Sequence, residues 1–264
     1  VVATVPIKLS DDFLSFDVAL AYAWNDNTQV YARVASGFRA PTIQDRIQDD
    51  IEVTTADSED IMSYEIGIKG EFSRLRYSIA AFHYEIDDMQ LVAVGGVSNS
   101  TTLLNANEGT GTGFEAEIEY LLTDNLVVSA GFGFTDTEIN DSSLSVPAGP
   151  LTTPLDPINA AGFAIIDGNP FQHAPEWTAN IELEYTYPIG DDREVYVFTD
   201  WKWKGETQDF LYESVEFTFD TQFEGGLRVG YRDLSRDYEI GFFARNITDE
   251  DNPIGGIDFA NNTG

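Results

Sequence analysis

Cysteine is absent from the sequence, which excludes disulfides, thiolate metal sites and a cysteine nucleophile. Its absence suits a protein that faces the oxidising periplasm, where stray thiols mispair. Basic residues are also scarce, because 14 lysines and arginines stand against 46 aspartates and glutamates, for a net charge of −32. This balance argues against nucleic acid as a partner and against a polybasic patch for an anionic membrane surface.

Long apolar runs are missing too, since no stretch reaches the roughly 18 apolar residues that a transmembrane helix needs. No secretory signal is visible at Val1, so we expect the chain to be processed or part of a longer protein. Aromatic residues, by contrast, make up 13% of the chain, too many for a disordered acidic protein. The length allows one large β domain or two ordinary ones, and we predict a single domain over residues 1–264.

Apolar and polar residues alternate along ten segments with the period of two that is typical of β-strands. Short turns and long polar loops separate these segments in alternation, as in antiparallel hairpins. The predicted strands are 13–24, 30–38, 61–72, 75–86, 114–122, 126–134, 177–187, 195–203, 215–231 and 238–247. Residues 95–113 and 136–175, which are rich in glycine and small polar residues or proline, are predicted to be long loops.

The composition of the strand faces favours a membrane barrel over a soluble sandwich, although both classes alternate in this way. Segments of about ten residues can cross a bilayer when tilted, and aromatic residues recur near their ends as in a girdle. The sequence therefore predicts an all-β, antiparallel transmembrane β-barrel, and a soluble carbohydrate-binding sandwich stays the alternative. In segment 75–86 the apolar residues change face after Ala81, which predicts a bulge or a face covered by protein.

Six motifs, taken in chain order, resemble those of TonB-dependent outer-membrane receptors. They are YARVASGFRAP (31–41), SYEIGIKGEF (63–72), YSIAAFHYEIDDMQ (77–90), NEGTGTGFEAEIEY (107–120), PEWTANIELEY (175–185) and FFARNITDED (242–251). The last motif has Ile247 where the family has leucine. The resemblance covers essentially the whole chain. It implies about ten strands from the C-terminal half of a 22-stranded barrel, with the family's N-terminal plug and last strand outside this sequence.

The resemblance also implies a function and a location. We expect a receptor in the cell outer membrane of a Gram-negative bacterium, surrounded by lipid and lipopolysaccharide. It would take up a scarce, large solute such as a ferric siderophore, cobalamin or a glycan. The TonB complex would supply energy through the plug, and neither catalysis nor a cofactor would be involved. A passive porin is the alternative, and the two differ in whether the barrel is plugged.

Catalytic and metal sites have weak support in the sequence. His83 and Asp87 share a strand face but lie about 13 Å apart by strand geometry, too far for a base and its orienting carboxylate, so a ten-stranded barrel enzyme ranks below the porin. His83 and His173 are far apart in sequence and are better interpreted as surface residues than as metal ligands. The loop acids match no EF-hand spacing, which favours solvated charge over calcium binding. These acids are Asp45, Asp49, Asp50, Asp57, Glu59 and Asp60.

Solute contacts are predicted where the strands meet the long loops. Arg39 lies at the predicted rim of the barrel, just past the second strand. Phe171, Phe210 and Tyr212 lie in long loops, where they could stack on the solute or pack the loops together. The glutamate rows in 115–119 and 182–184 could form a cation path, but a hydrated wall that meets the polar surface of a plug is the favoured interpretation.

Overall fold

The computed structural model describes residues 7–44, 53–95, 100–148 and 157–256. Ten long strands form one antiparallel sheet, in the order β1-β2-β5-β6-β7-β8-β11-β12-β15-β16. These strands are β1 (Asp17–Asn25), β2 (Thr28–Arg39), β5 (Glu59–Glu71), β6 (Leu75–Gly95), β7 (Ser100–Thr123), β8 (Leu126–Asn140), β11 (Trp177–Pro188), β12 (Arg193–Lys204), β15 (Gln222–Asp233) and β16 (Tyr238–Ala244). The predicted ten-stranded meander is confirmed.

The remaining elements are short and lie in the long connections. They are the strand pairs β3 (Thr42–Ile43) with β4 (Thr55–Ala56), β9 (Ser145–Pro147) with β10 (Phe163–Ile165), and β13 (Thr207–Gln208) with β14 (Thr218–Phe219), and a 3-10 helix at Val215–Phe217. Within the described ranges, no helix is long and apolar enough to cross a membrane. The strands are joined by short connections at one end of the sheet, which we call the turn end. At the opposite end, the loop end, the connections are long, except that only residues 96–99 lie between β6 and β7.

The register separates an apolar face of the sheet from a polar face. On β7, Phe114, Ile118 and Tyr120 lie on the apolar face, and their partners on β8 are Phe134, Ala130 and Val128. Glu115, Glu117 and Glu119 lie on the polar face, opposite Gly133, Gly131 and Ser129. Apolar side chains stay strongly exposed, with Leu20 at 75% and Phe242 at 80%. The described residues place no second layer over this face, unlike the faces of a soluble sandwich.

The hairpin of β6 and β7 corrects the predicted loop at 95–113. The two strands pair without a break from Leu75↔Tyr120 to Asp87↔Glu108, and then again from Met89↔Ala106 to Gly95↔Ser100. The glycines that suggested a loop alternate with threonines and lie on the polar face. A Cβ at Gly111 or Gly113 would overlap the ring of Tyr84 or Phe82 on β6. These glycines therefore make room for rings rather than break the strand.

The predicted bulge after Ala81 is wrong, because pairing with β7 continues through Ala81 and Phe82. The irregular residue is Asp88, which has a positive φ of 53° and interrupts the register. The apolar pattern changes at Ala81 because β6 extends beyond the apolar part of this face. After Ala81 the residues on the same face are polar, beginning with His83. Similarly, the predicted strand 215–231 begins only at Gln222, since Val215–Phe217 form the 3-10 helix.

A separate buried cluster, which we call the loop core, lies at the loop end. The ends of β6, β7 and β8 contribute to it together with the β9–β10 pair and the loop after β13. Its buried members are Leu91, Ala93, Ala106, Ile139, Val146, Ala148, Ala164, Ile166, Phe210, Leu211 and Tyr212. Sheet and loops are thus stabilised differently: the loops bury apolar side chains among themselves, while the apolar face of the sheet stays open.

Candidate functional site

The polar face of the sheet forms a cleft of about 1060 Å³ toward the turn end. Glu117 of β7 and Glu182 of β11 line one side, and Lys69 and Arg76 line the other. The floor includes Gly131 of β8, where a Cβ would overlap the side-chain oxygen of Asn180 on β11. Both predicted glutamate rows thus lie on this one face, and the cleft offers carboxylates and amides to whatever fills it.

One arginine organises the polar face across four strands. The Arg232 guanidinium on β15 donates to Glu184 of β11 at 2.8 Å, to Glu194 of β12 at 3.1 Å and to Glu239 of β16 at 3.2 Å. It also lies 3.9 Å from the ring centroid of Tyr196, which is only 1% exposed. This network gives three carboxylates a shared cationic partner, and one of them, Glu184, belongs to the glutamate row that the sequence predicted in 182–184.

Tyrosine rings lie over glycines at three places on the polar face. Tyr31 covers Gly67 of β5, and its hydroxyl donates to Glu65 at 2.5 Å. Tyr196 covers Gly230 of β15, and its hydroxyl donates to Glu239 at 2.5 Å. Tyr84 covers Gly111 of β7 in the same way. In each pair the missing Cβ lets the ring lie flat against the neighbouring strand.

The loop that follows β2 is fastened to the β6–β7 hairpin by buried amide side chains. The Gln90 Nε2 donates to the carbonyls of Ala40 and Asp57, at 2.8 Å each, and its Oε1 accepts from the Thr42 hydroxyl at 2.7 Å. The Gln44 Nε2 donates to the carbonyl of Thr101 at 2.7 Å. These bonds hold the described parts of the loop after Arg39 close to the sheet.

Asp141 performs a similar task after β8. It is buried, and it accepts hydrogen bonds from the Ser143 hydroxyl at 2.7 Å and from the N–H groups of Asn107 and Ser143 at 2.9 and 3.0 Å. Burial by itself would raise the pKa of Asp141, but these hydrogen bonds outweigh it and hold the pKa below its ordinary value of 3.8. The carboxylate therefore stays charged and ties the β8–β9 connection to β7.

The structure places the four predicted solute contacts in two different settings. The Arg39 side chain is 59% exposed at the loop end and pairs with Glu59 at 3.5 Å. Phe171 is half-buried against the loop core. Phe210 and Tyr212 are both buried in the loop core, with ring centroids 5.7 Å apart and nearly parallel planes. Phe210 and Tyr212 thus pack the loops together, which is one of the two roles that the sequence left open.

The histidines and acids considered for metal binding are dispersed. His83 lies 2.8 Å from the Thr112 hydroxyl, and His173 lies 3.3 Å from Asp209. In the part of the chain that the structure describes, no group of three or more histidine or acidic side chains could hold a metal ion. Three of the loop acids, Asp57, Glu59 and Asp60, are within the described residues. The other three, Asp45, Asp49 and Asp50, lie outside the described residues.

The comparison with known proteins agrees with the sheet and its two faces. A family model described as TonB dependent receptor-like, beta-barrel, matches residues 3–247, a span that contains all ten long strands. The chain belongs to the TonB-dependent receptor β-barrel family. Proteins of this family are receptors and transporters rather than enzymes.

Relatives of this TonB-dependent receptor chain include proteins named for iron uptake. The probable TonB-dependent siderophore receptor PiuA of Acinetobacter baumannii is 23% identical over 190 residues, which are 69% of this chain and 24% of that protein. The pesticin receptor of Yersinia pestis is 27% identical over 113 residues, 43% of this chain and 16% of that protein. The parts that match this chain are thus at most about a quarter of the length of these relatives.

Solved TonB-dependent receptor structures share the fold at low sequence identity. The ferric yersiniabactin uptake receptor FyuA of Yersinia pestis has a TM-score of 0.67 and 16% identity, over 89% of this chain and 32% of that chain. The crystal structure of PiuA has a TM-score of 0.65 and 18% identity, over 90% of this chain and 32% of that chain.

Alternation could not reveal the Arg232 network or the tyrosine–glycine pairs of this receptor chain. Arg232 and Glu184 are 48 positions apart and meet only because β11, β12 and β15 are neighbours. One signal was available: once adjacent hairpins are aligned, each ring stands opposite a glycine in the register, as Tyr84 does opposite Gly111. Such opposition of a large ring and a glycine marks positions where a side chain lies flat on the wall.

Proposed function

We propose that the chain is part of the wall of an outer-membrane receptor of a Gram-negative bacterium that takes up a scarce solute with energy from the TonB complex. We further propose that residues 1–264 belong to a single barrel domain. The observation that supports this best is the pairing of an exposed apolar face with a charged, arginine-organised polar face on one sheet of this family. Lipid would cover the first face, and the second would line the lumen.

The two aromatic bands on the apolar face support a membrane position. At the loop end Phe134 and Trp177 are in contact, with ring centroids 4.4 Å apart, and at the turn end Tyr231 and Tyr238 lie 6.1 Å apart. Phe114 and Tyr120 on β7 are six residues apart, which corresponds to about 20 Å along a strand. The apolar band of outer-membrane barrels is about 25 Å tall and is flanked by such aromatic residues.

Long loops of outer-membrane barrels face the outside and short turns face the periplasm. We therefore place the loop end outside, next to lipopolysaccharide, and the turn end in the periplasm. The relatives named for siderophores and for ferric yersiniabactin support an iron complex as the solute. Arg39 is the exposed predicted contact for an acidic group of that solute, and half-buried Phe171 is the candidate contact for an aromatic group.

Deletion of the gene that contains this sequence tests the proposal. Growth in iron-depleted medium is measured with single ferric complexes as the iron source, in the deletion strain, the complemented strain and a complemented strain without TonB. We expect one complex to support growth only when the receptor and TonB are both present. Growth without TonB would indicate a passive porin instead. Uptake that depends on neither gene would leave the receptor function without support.

A further inference from the structure

The three tyrosine–glycine pairs of the polar face allow a comparison within one molecule. Tyr31, Tyr84 and Tyr196 each stand opposite a glycine in the register, at Gly67, Gly111 and Gly230. A Cβ at any of these glycines would overlap the ring. The backbone therefore supports one side of each ring, and the opposite side is turned away from the sheet.

Two of these tyrosines are capped by charged side chains. The Nζ of Lys69 lies 4.7 Å from the ring centroid of Tyr31, whose hydroxyl donates to Glu65. The guanidinium of Arg232 lies over Tyr196, whose hydroxyl donates to Glu239. A cation over the ring and a carboxylate at the hydroxyl thus satisfy both the π-face and the donor.

Tyr84 has neither cap. Among the residues that the structure describes, no cation lies over its ring and no acceptor receives its hydroxyl. Phe82 lies beside it instead, with ring centroids 6.3 Å apart and an angle of 10° between the planes. Both rings are partly exposed, and the paired residues Ile61 and Ile86 extend the apolar surface toward the loop end.

The position of these rings on the wall is also distinctive. Toward the turn end, the polar face continues with Ala80 opposite Glu115 and then with the charged cleft. Toward the loop end, β6 continues to Met89, which packs against the loop core. A solute that moves from the loops along this part of the polar face would meet the two nearly parallel rings before it meets the glutamates of the cleft.

We propose that Phe82 and Tyr84 form an aromatic shelf that binds a planar aromatic group of the transported solute, with the Tyr84 hydroxyl donating to an oxygen at the edge of that group. The proposal rests on the proposed uptake function and names the chemical class of its solute. Rings with nearly parallel planes favour offset stacking of a flat conjugated group. The solute oxygen would take the place that Glu65 and Glu239 occupy at the two capped tyrosines.

The test uses the complete gene product that contains this chain, purified in detergent, and two small carboxylates as probes. 2,3-Dihydroxybenzoate is planar and carries two hydroxyl groups on its ring, whereas cyclohexanecarboxylate has the same carboxylate on a puckered ring. Affinities are measured by saturation-transfer NMR titration. We expect the unmodified protein to bind the aromatic probe about tenfold more tightly than the cyclohexane probe, which is the range for one stacked pair.

Three variants locate the binding. Tyr84→Leu removes the ring and should lower the affinity for the aromatic probe about tenfold. Tyr84→Phe keeps the ring and should lose only the part of the affinity that is due to the hydroxyl. Gly111→Ala keeps every atom of Tyr84 but pushes its ring off the strand, and it should weaken the probe as Tyr84→Leu does. The matched control is Gly67→Ala, which displaces the capped ring of Tyr31 in the same way and should leave probe binding unchanged.

Equal binding of the two probes, no detectable binding of the aromatic probe, unchanged binding in Tyr84→Leu, or an equal loss in Gly67→Ala would each overturn the shelf. The uptake function is read separately from TonB-dependent growth. If growth depends on TonB but Tyr84→Leu does not change probe binding, the aromatic shelf is refuted and the receptor function is kept. If probe binding depends on Tyr84 but uptake does not depend on TonB, the aromatic shelf is kept and the proposal of energised transport is refuted.

Discussion

The guanidinium of Arg232 lies 3.9 Å from the ring centroid of Tyr196, and Glu239 accepts hydrogen bonds from both side chains. Tyr196 is on β12 and Glu239 is on β16, so Arg232 on the strand between them joins three consecutive strands through side chains alone. Such a network strengthens the wall independently of the backbone ladder.

Arg232→Met should therefore destabilise the barrel by about 2 kcal/mol, because Glu184, Glu194 and Glu239 would lose a shared, partly buried partner. The heat-modified mobility shift on gels, followed against temperature, measures this loss in the complete protein. Arg76→Met is the control, since Arg76 is 62% exposed and its carboxylate contacts are 3.5 and 3.6 Å long. An equal effect of the two substitutions would contradict a special role for Arg232.

Arginine on the apolar face should impair membrane insertion. Ile118 lies on this face at 44% exposure, and Glu117 next to it lies on the polar face. Ile118→Arg should cost about 2–4 kcal/mol near the middle of the bilayer, whereas Glu117→Arg should insert normally. Folding yield into lipid vesicles measures both variants. Normal insertion of Ile118→Arg would argue against lipid as the neighbour of this face.

Gln90→Leu should release the loop after β2 while the sheet stays folded. The substitution keeps the side-chain volume but removes the Gln90 amide donor from the carbonyls of Ala40 and Asp57, and Asp57 keeps only the longer bond from the Asn105 amide at 3.1 Å. We expect about 2 kcal/mol less protection of that loop, or roughly thirtyfold faster hydrogen exchange at its amides. Val92→Ala on the same strand is the control, because Val92 is 43% exposed. Faster exchange throughout β6 in Gln90→Leu would indicate general destabilisation instead.

The connection between β8 and β9 should open in acid. Hydrogen bonds hold the pKa of Asp141 below 3.8 in the folded protein, and unfolding returns it toward that value. The stability that this carboxylate contributes is therefore fully present above about pH 4 and is lost as the pH falls through the lowered folded pKa. Hydrogen exchange at the amides of Asn107 and Ser143, normalised to intrinsic rates, measures the opening. In Asp141→Asn this pH dependence should disappear.

Strand order and face assignment could be predicted from the sequence because both follow from local rules. Period-two alternation fixes which residues share a face, and short turns force chain neighbours to pair. The length of β6 and β7 could not be predicted in this way, since Gly109, Gly111 and Gly113 have the composition of a loop. Their role appears only when the rings of Phe82 and Tyr84 on the other strand are placed over them.

The candidate site was harder to predict from the sequence, because it also depends on contacts between segments far apart in the chain. Buried and exposed aromatic residues of a loop look alike in sequence, so the positions of Phe210 and Tyr212 depended on packing between segments far apart in the chain. Arg39 was placed correctly at a strand end because β2 extends to that residue. Charges that pair across three strands, as Arg232 and Glu184 do, can be matched only when the complete register is known.

The β6–β7 hairpin has a consequence for how a cell carrying this protein meets its surroundings. Its strands contain 21 and 24 residues, so the hairpin reaches about 70 Å along the strand direction, more than twice the thickness of a bilayer core. In the proposed orientation, the loop-end half of the hairpin would extend beyond the lipid into the medium. Antibodies and phages would reach this tall epitope on intact cells before they reach the lumen.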